Sequence, residues 1–244
     1  MSSEPKGRTF DTERGRRFGG KRQLTRVIGV AAAALTVAGL GATGASAQSW
    51  TAREQGPAPA ACAAPGPDQP NGKQWQQEPG NTIDPAVGYT STLETNCGAI
   101  TIELDAQRAP RTVNSFAFLS GEQYFDHTKC HRLTTEGIYV LQCGDPTASG
   151  TGTPGYQFPD ENLEGAVYPA GTVAMANSGP DTNGSQFFLV FQDSPLPPSY
   201  TPFGHITGGL DVLQSIGAAG VRDGSGDGAP AADVVLDSVV TAPN

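Results

Sequence analysis

Tyr89-Thr-Ser-Thr-Leu-Glu-Thr95 leads through Asn96-Cys97-Gly98 into Ile100-Thr-Ile-Glu-Leu104. In the second limb Thr101, Glu103 and Asp105 alternate with Ile100, Ile102 and Leu104, the period of a strand with one wet and one dry face. The turn between the limbs makes them an antiparallel hairpin. Outward from it, Ala109-Pro110-Arg111-Thr112 opens a helix whose apolar stripe carries Val113, Phe116, Ala117 and Ser120, with Thr112 as its expected cap. Strand-like segments follow at Lys129–Leu133, Ile138–Gln142, Thr172–Ala176, Gln186–Phe191 and Thr201–Ile206. A second helical stretch, Leu210 to Ile216, stops at Gly217, and Val234–Val240 is the last strand. Many short strands with only two helices predict a mainly β fold, a closed antiparallel barrel with helices over its ends.

The chain has 244 residues, with 15 Lys and Arg against 24 Asp and Glu. That charge is unevenly spread. Residues 1–26 hold eight basic and three acidic residues, whereas the remainder holds seven basic and 21 acidic ones. A globular part that acidic has little with which to replace phosphate counterions, so no nucleic acid is expected as partner. From Val27 to Ala47 the chain is uncharged for 21 residues and ends Ala45-Ser46-Ala47. Basic, then apolar, then small-x-small is the order of an export signal. Residues 1–47 are therefore read as a basic region plus a signal peptide or membrane anchor, and everything beyond as extracytoplasmic. Arg16-Arg17-Phe18 carries a twin-arginine pair without the rest of that motif. Residues 48–86, rich in Pro, Gln, Ala and Gly, read as a flexible spacer. The patterned domain then runs over 87–242, long enough to bury its own core.

Cys62, Cys97, Cys130 and Cys143 permit three pairings. Cys130 and Cys143 begin and end a predicted antiparallel pair of strands, which favours a disulfide between them and leaves Cys62 for Cys97. No cysteine pair has metal-ligand spacing, and His127, His131 and His205 do not cluster with them, so no metal is expected. Asp223-Gly-Ser225-Gly-Asp227-Gly228 begins like a calcium loop, but the twelfth position is Val234, and the segment reads as a turn-rich loop.

No nucleophile elbow, phosphate loop or His-Glu-x-x-His is present. What remains is spread over several strands: Cys130-His131-Arg132, Val140-Leu141-Gln142, Met175-Ala176-Asn177, Gln186-Phe187-Phe188, Leu196 and Tyr200. One guanidinium, carboxamides and an apolar floor, with no acid–base pair, suit a reaction that needs orientation and hydrogen bonding without proton transfer. Taken in order, His131-Arg132, Gln142-Cys-Gly-Asp145, Pro154-Gly-Tyr156, Gly171-Thr-Val-Ala-Met-Ala-Asn177, Thr182-Asn-Gly-Ser-Gln-Phe-Phe188 and Phe203-Gly204 resemble the cyclophilins, the cyclosporin-class peptidyl-prolyl isomerases. The Cys130–Thr135 and Val140–Asp145 segments look most like the exported, actinobacterial-type branch.

That resemblance implies an eight-stranded antiparallel β-barrel capped by two α-helices, and a peptidyl-prolyl cis–trans isomerase acting on X–Pro bonds. It implies Arg132, Gln142 and Phe188 as catalytic: Arg132 donating toward the proline region, Gln142 orienting Arg132 or holding the substrate backbone, Phe188 flooring the proline pocket. Ile138, Val140 and Leu196 line the same pocket, Ala176, Asn177 and Gln186 serve the peptide backbone, and Tyr200 stands where the family often has His. His131, beside Arg132, is expected to face away from it. No cofactor is implied. The partners are proline-containing peptides and unfolded exported proteins, the membrane is met only through the N-terminal segment, and the chain is expected to be a monomer. Pro195 stands where many members place a Trp, so cyclosporin binding should be weak. The alternative is a non-catalytic extracytoplasmic proline-binding scaffold or holdase, which has no need of a guanidinium. An oligosaccharide-binding barrel would want aromatics on a sheet face, yet Trp50 and Trp75 both lie outside the patterned domain.

Overall fold

The computed structural model describes residues 62–244, so the predicted export segment over 1–47 and the start of the spacer lie outside the described residues. In chain order the elements are β1 (Tyr89–Thr95), β2 (Gly98–Leu104), α1 (Pro110–Gly121), β3 (Thr128–Lys129), β4 (Arg132–Thr134) and β5 (Val140–Cys143). They continue with β6 (Thr172–Met175), β7 (Phe187–Val190), β8 (Pro202–Gly208), α2 (Leu210–Ala219), β9 (Asp227–Gly228) and β10 (Val235–Pro243). All ten strands join one sheet in the order β3-β10-β1-β2-β8-β6-β7-β5-β4-β9, and every pairing between them is antiparallel.

The ten strands are two more than the resemblance implies, for two local reasons. The predicted strand over 129–133 is interrupted at Cys130-His131, giving β3 and β4. There the Cys130 N–H leaves the ladder to meet the Val234 carbonyl. The turn-rich loop over 223–228 also supplies an unforeseen strand, because Asp227 and Gly228 pair with Thr134 and Leu133. With β3 on β10 and β4 on β5 and β9, the segment from Thr128 to Thr134 borders both ends of the order.

The dry face of the hairpin, Leu93, Ile100, Ile102 and Leu104, joins Leu133, Leu141, Val173, Leu189 and Phe203 in the core. Phe116 of α1 enters it with its ring centroid 4.9 Å from Phe125 and 5.3 Å from both Phe187 and Phe203. Burying such a ring contributes about 2–3 kcal/mol. Thr112 is not the cap of α1; that position is Ala109, and Pro110 begins the helix. The first-turn donors are met from outside, since Glu161 accepts the N–H groups of Arg111 (3.1 Å) and Thr112 (2.8 Å) and the Thr112 hydroxyl (2.8 Å). Helix α2 also runs past the predicted stop, with Gly217 inside it. A Cβ at Gly217 would come within 2.6 Å of the Phe191 ring, so glycine serves close packing there rather than termination.

Residues 62–86 have no regular secondary structure, but the flexible-spacer expectation is corrected for them. The Trp75 ring lies 5.1 Å from Phe118 and 5.8 Å from Tyr124, and the Trp75 backbone N–H donates to the Pro154 carbonyl at 2.8 Å. Glu78 takes Arg111 through two bonds of 2.8 and 2.6 Å, and Asn114 accepts the Thr82 N–H at 2.8 Å. The segment is a strap held over α1, its apolar and polar anchors alternating with prolines.

Both favoured disulfides are present, Cys62–Cys97 fixing the strap to the first hairpin and Cys130–Cys143 joining the flanks of β4 and β5. The second closes a loop of sequence separation 13. Constraining a loop of that length in the unfolded chain contributes about 3 kcal/mol. Replacing Cys130 and Cys143 by Ser should therefore lower the free energy of urea unfolding by about 3 kcal/mol; an unchanged midpoint would show that the bridge adds nothing to the fold.

Candidate active site

The site is built by strand register. Across β4, β5, β7 and β6, Arg132 pairs with Gln142, Gln142 with Phe188, and Phe188 with Ala174. One position along, Leu133, Leu141, Leu189 and Val173 form the parallel row. Period two sends the second row into the core and the first to the other face. There it meets a groove of about 490 Å³, lined among others by Arg132, Ile138, Val140, Gln142, Phe188 and Tyr200. Ala176, Asn177 and Leu196 line the same groove. Gln186 stands in an adjoining hollow of about 230 Å³ that shares Gln142, Ala176 and Asn177 with it. All ten sequence-nominated residues are thus brought into one region.

The polar side is a directional chain. Arg132 Nη1 donates to Gln142 Oε1 at 3.3 Å, and Gln142 Nε2 donates to Gln186 Oε1 at 2.8 Å. Gln186 Nε2 then donates to the carbonyls of Gly150 (3.1 Å) and Gly152 (3.0 Å). On its other edge the guanidinium is held by Asp227, Nε to Oδ1 at 2.7 Å and Nη2 to Oδ2 at 2.8 Å. This hydrogen-bonded pair raises the Arg132 pKa and lowers that of Asp227.

The apolar side is a separate small cluster of Val140, Tyr168, Ala174, Phe188 and Val190, with Ile138, Ala176, Leu196 and Tyr200 packed against it. The Phe188 and Tyr200 rings meet edge to face at 5.5 Å. Tyr200 is fixed by its backbone, since the Tyr168 hydroxyl donates to its carbonyl at 2.7 Å and accepts its N–H at 3.1 Å. Asn177 spends its carboxamide inside the protein, donating to the Ser199 carbonyl at 2.8 Å and accepting the Gly179 N–H at 3.2 Å. Its main chain makes no hydrogen bond among the described residues.

Asp145 supports the far end of the polar chain. Its carboxylate is buried and accepts the Thr147 N–H and hydroxyl, each at 2.7 Å, the Gly150 N–H at 2.7 Å and the Gly152 N–H at 3.0 Å. The loop is so tight that a Cβ at Gly152 would overlap Asp145 Oδ1. Burial pushes the Asp145 carboxyl up, but the hydrogen bonds from Thr147, Gly152 and Gly150 outweigh it and hold the pKa below the ordinary carboxylate value.

Sequence reasoning missed three contributors. Asp227 was hidden in a loop legible only as turns. Tyr168 and Asp145 act through contacts 32 and two to seven residues away, with no periodicity to mark them. The expectation that His131 faces away from Arg132 is corrected: it lines the groove, because the strand break just before β4 interrupts the alternation. Burial lowers the His131 pKa, so the imidazole is neutral at pH 7.

The family described as "Cyclophilin type peptidyl-prolyl cis-trans isomerase/CLD" matches residues 90–241. The probable peptidyl-prolyl cis-trans isomerase B of Mycobacterium leprae is 49% identical over 170 residues, covering 64% of this chain and 57% of the relative. Its counterpart in Mycobacterium tuberculosis is 48% identical over 171 residues, covering 64% and 55%. The chain thus spans a little over half the length of these curated relatives. Among solved structures, a cyclophilin type peptidyl-prolyl cis-trans isomerase of Cryptosporidium parvum is 28% identical with a TM-score of 0.58, covering 64% of this chain and 99% of its own. The same protein in the presence of the dipeptide Ala-Pro gives a TM-score of 0.57.

Because the folded-state pKa of Asp145 is depressed, its contribution to stability is complete above the unfolded carboxylate value of about 3.9 and is lost as pH falls through the folded value. Asp145→Asn should lower stability by about 2 kcal/mol at pH 7, with the gap to wild type narrowing below about pH 4. Urea midpoints across pH measure it, and a gap that stays constant into acid would overturn this role for the charge.

Proposed function

The chain belongs to the cyclophilin-type peptidyl-prolyl cis-trans isomerases, and from that premise we propose that residues 87–242 catalyse rotation about X–Pro bonds. The observation that carries the proposal is the cross-strand row of Arg132, Gln142 and Phe188, which sets a fixed cationic donor beside an apolar floor in one groove.

An X–Pro amide has only a small trans preference, yet its rotation crosses about 18–20 kcal/mol of lost resonance. As the bond twists, the proline nitrogen loses conjugation, becomes pyramidal and gains basicity. A donor aimed at it stabilises the twisted state over either planar isomer, and that difference is the catalysis. Arg132 suits the task because it stays charged and offers a rigid fork of donors. Phe188, with Val140, Ile138 and Leu196, holds the proline ring, while Tyr200 walls the pocket. Asn177 offers its unpaired main chain to the peptide, with Ala176 beside it and Gln186 steadying Gln142. Nothing in this scheme needs a nucleophile, a proton shuttle, a metal or an organic cofactor.

We further assign the activity to the outside of the cell membrane, on X–Pro bonds of unfolded exported proteins, with the domain acting as a monomer. The order of residues 1–47 supports export through a signal peptide or anchor. The two disulfides are compatible with an oxidising compartment, and no helix of the described residues is long and apolar enough to cross a membrane.

Arg132→Ala should lower kcat/KM for a proline tetrapeptide about 100-fold in the full-length oxidised protein, the usual cost of removing one preorganised donor. Two-dimensional NMR exchange or a protease-coupled assay measures it. Acceleration that survives the substitution would leave the enzyme but discard Arg132 as its donor; no acceleration by folded wild type would favour a proline-binding scaffold.

The pocket residue Leu196 is preceded by Pro195, whose side chain offers neither the area nor the N–H of an indole. Cyclosporin should therefore bind weakly to a protein that still isomerises its peptide. A tight complex in titration calorimetry would overturn the inference from Pro195.

A further inference from the structure

The guanidinium of Arg132 has five N–H groups, and Asp227 takes two of them in the plane of the fork. Gln142 takes a third at the longer distance of 3.3 Å. Two remain for a substrate. We propose that Asp227 is a positioning residue for the isomerase reaction, a carboxylate clamp that sets the direction of those two free donors. The inference rests on the isomerase reading above and deepens it.

The stability of the fold does not account for the pair. Arg132 and Asp227 are 39% and 55% exposed as side chains, and ion pairs so exposed add little to stability. What the pair does is remove freedom from a long side chain with many rotamers. Without Asp227, one hydrogen bond of 3.3 Å to a partly exposed Gln would hold the arginine against water.

The carboxylate is itself rigidly mounted. Asp227 lies on β9 opposite Thr134, so its backbone is tied to the strand that bears Arg132. Beside it the Gly226 carbonyl accepts the Thr135 N–H at 2.8 Å, and the Ser225 hydroxyl donates to the Asp227 carbonyl at 2.9 Å. The base of this hairpin is closed by the Val221–Pro230 bridge and by the Arg222 N–H on the Ala229 carbonyl at 2.8 Å. A preorganised acceptor on one edge of the fork and a carboxamide on the other leave the guanidinium one orientation, as donation to a short-lived twisted amide requires.

The test uses Asp227→Asn, which keeps the volume but loses the bidentate acceptor, in wild-type and Arg132→Ala backgrounds of the full-length oxidised protein. In the wild-type background kcat/KM should fall about 10-fold, mostly in kcat, with an unchanged melting temperature. The Arg132 Nε–Hε signal in ¹⁵N–¹H spectra should move from a resolved, slowly exchanging position into that of free arginines. In the Arg132→Ala background the same substitution should change nothing, because there is no guanidinium left to aim. Undiminished activity of Asp227→Asn, or an equal loss in both backgrounds, would overturn the clamp while leaving the isomerase standing. A folded wild type that does not accelerate isomerisation would remove the isomerase reading and the clamp with it.

Discussion

The site depends on strand register more than on any single residue. Arg132, Gln142 and Phe188 reach the groove only because β4, β5 and β7 pair so that these three stand abreast. A slip of one residue between β4 and β5 would turn Arg132 toward the core and Leu133 toward water, reversing both faces at once. The burial of Leu133, Leu141 and Leu189, each at most 1% exposed, opposes that slip. Cys130–Cys143 adds a covalent restraint just outside the paired segment. The core and the candidate site are thus two faces of one pairing, and what stabilises the first aligns the second.

Register sets where the side chains start; the polar chain sets where they point. A carboxamide has one acceptor end and one donor end, so fixing either end fixes both. Gln142 must present its oxygen to Arg132, which leaves its nitrogen for the oxygen of Gln186. Gln186 must then present its nitrogen to carbonyls, and Gly150 and Gly152 supply them. Those carbonyls stay in place because Asp145 gathers the amides of the same loop. A buried carboxylate therefore bears on the orientation of an arginine it does not touch, through neutral groups that cannot be reversed singly without opposing like ends.

Much of this was legible in the sequence, and the boundary has physical causes. Period-two alternation exposed the β1–β2 hairpin, because burial on one face leaves a local pattern. The strand ends likewise favoured Cys130 for Cys143. Thr112 misled because a cap and a third helical residue carry the same side chain, and only the distant Glu161 distinguishes them. The strap over 62–86 misled because its anchors are single residues, Trp75, Glu78 and Thr82, among prolines and glutamines. Asp227 could not be found at all: its partner lies 95 residues away in the chain, and no periodicity joins an edge strand of two residues to the arginine opposite.

The charge balance gives this arrangement a further meaning. Every Lys and Arg among the described residues, six in all, is in an ion pair. In so acidic a domain a free surface cation would attract whichever carboxylate lay nearest, and an arginine required to point one way would be the one most harmed by a wandering partner. Giving Arg132 a fixed partner on the edge away from Gln142 settles that competition in advance. It costs some net positive potential at the groove but secures direction. For an amide that gains basicity only while twisted, direction matters more, because the interaction must strengthen at one geometry and not uniformly across the approach. An exactingly oriented cationic donor, held by one fixed carboxylate, is a form of electrostatic stabilisation that so acidic a domain can maintain.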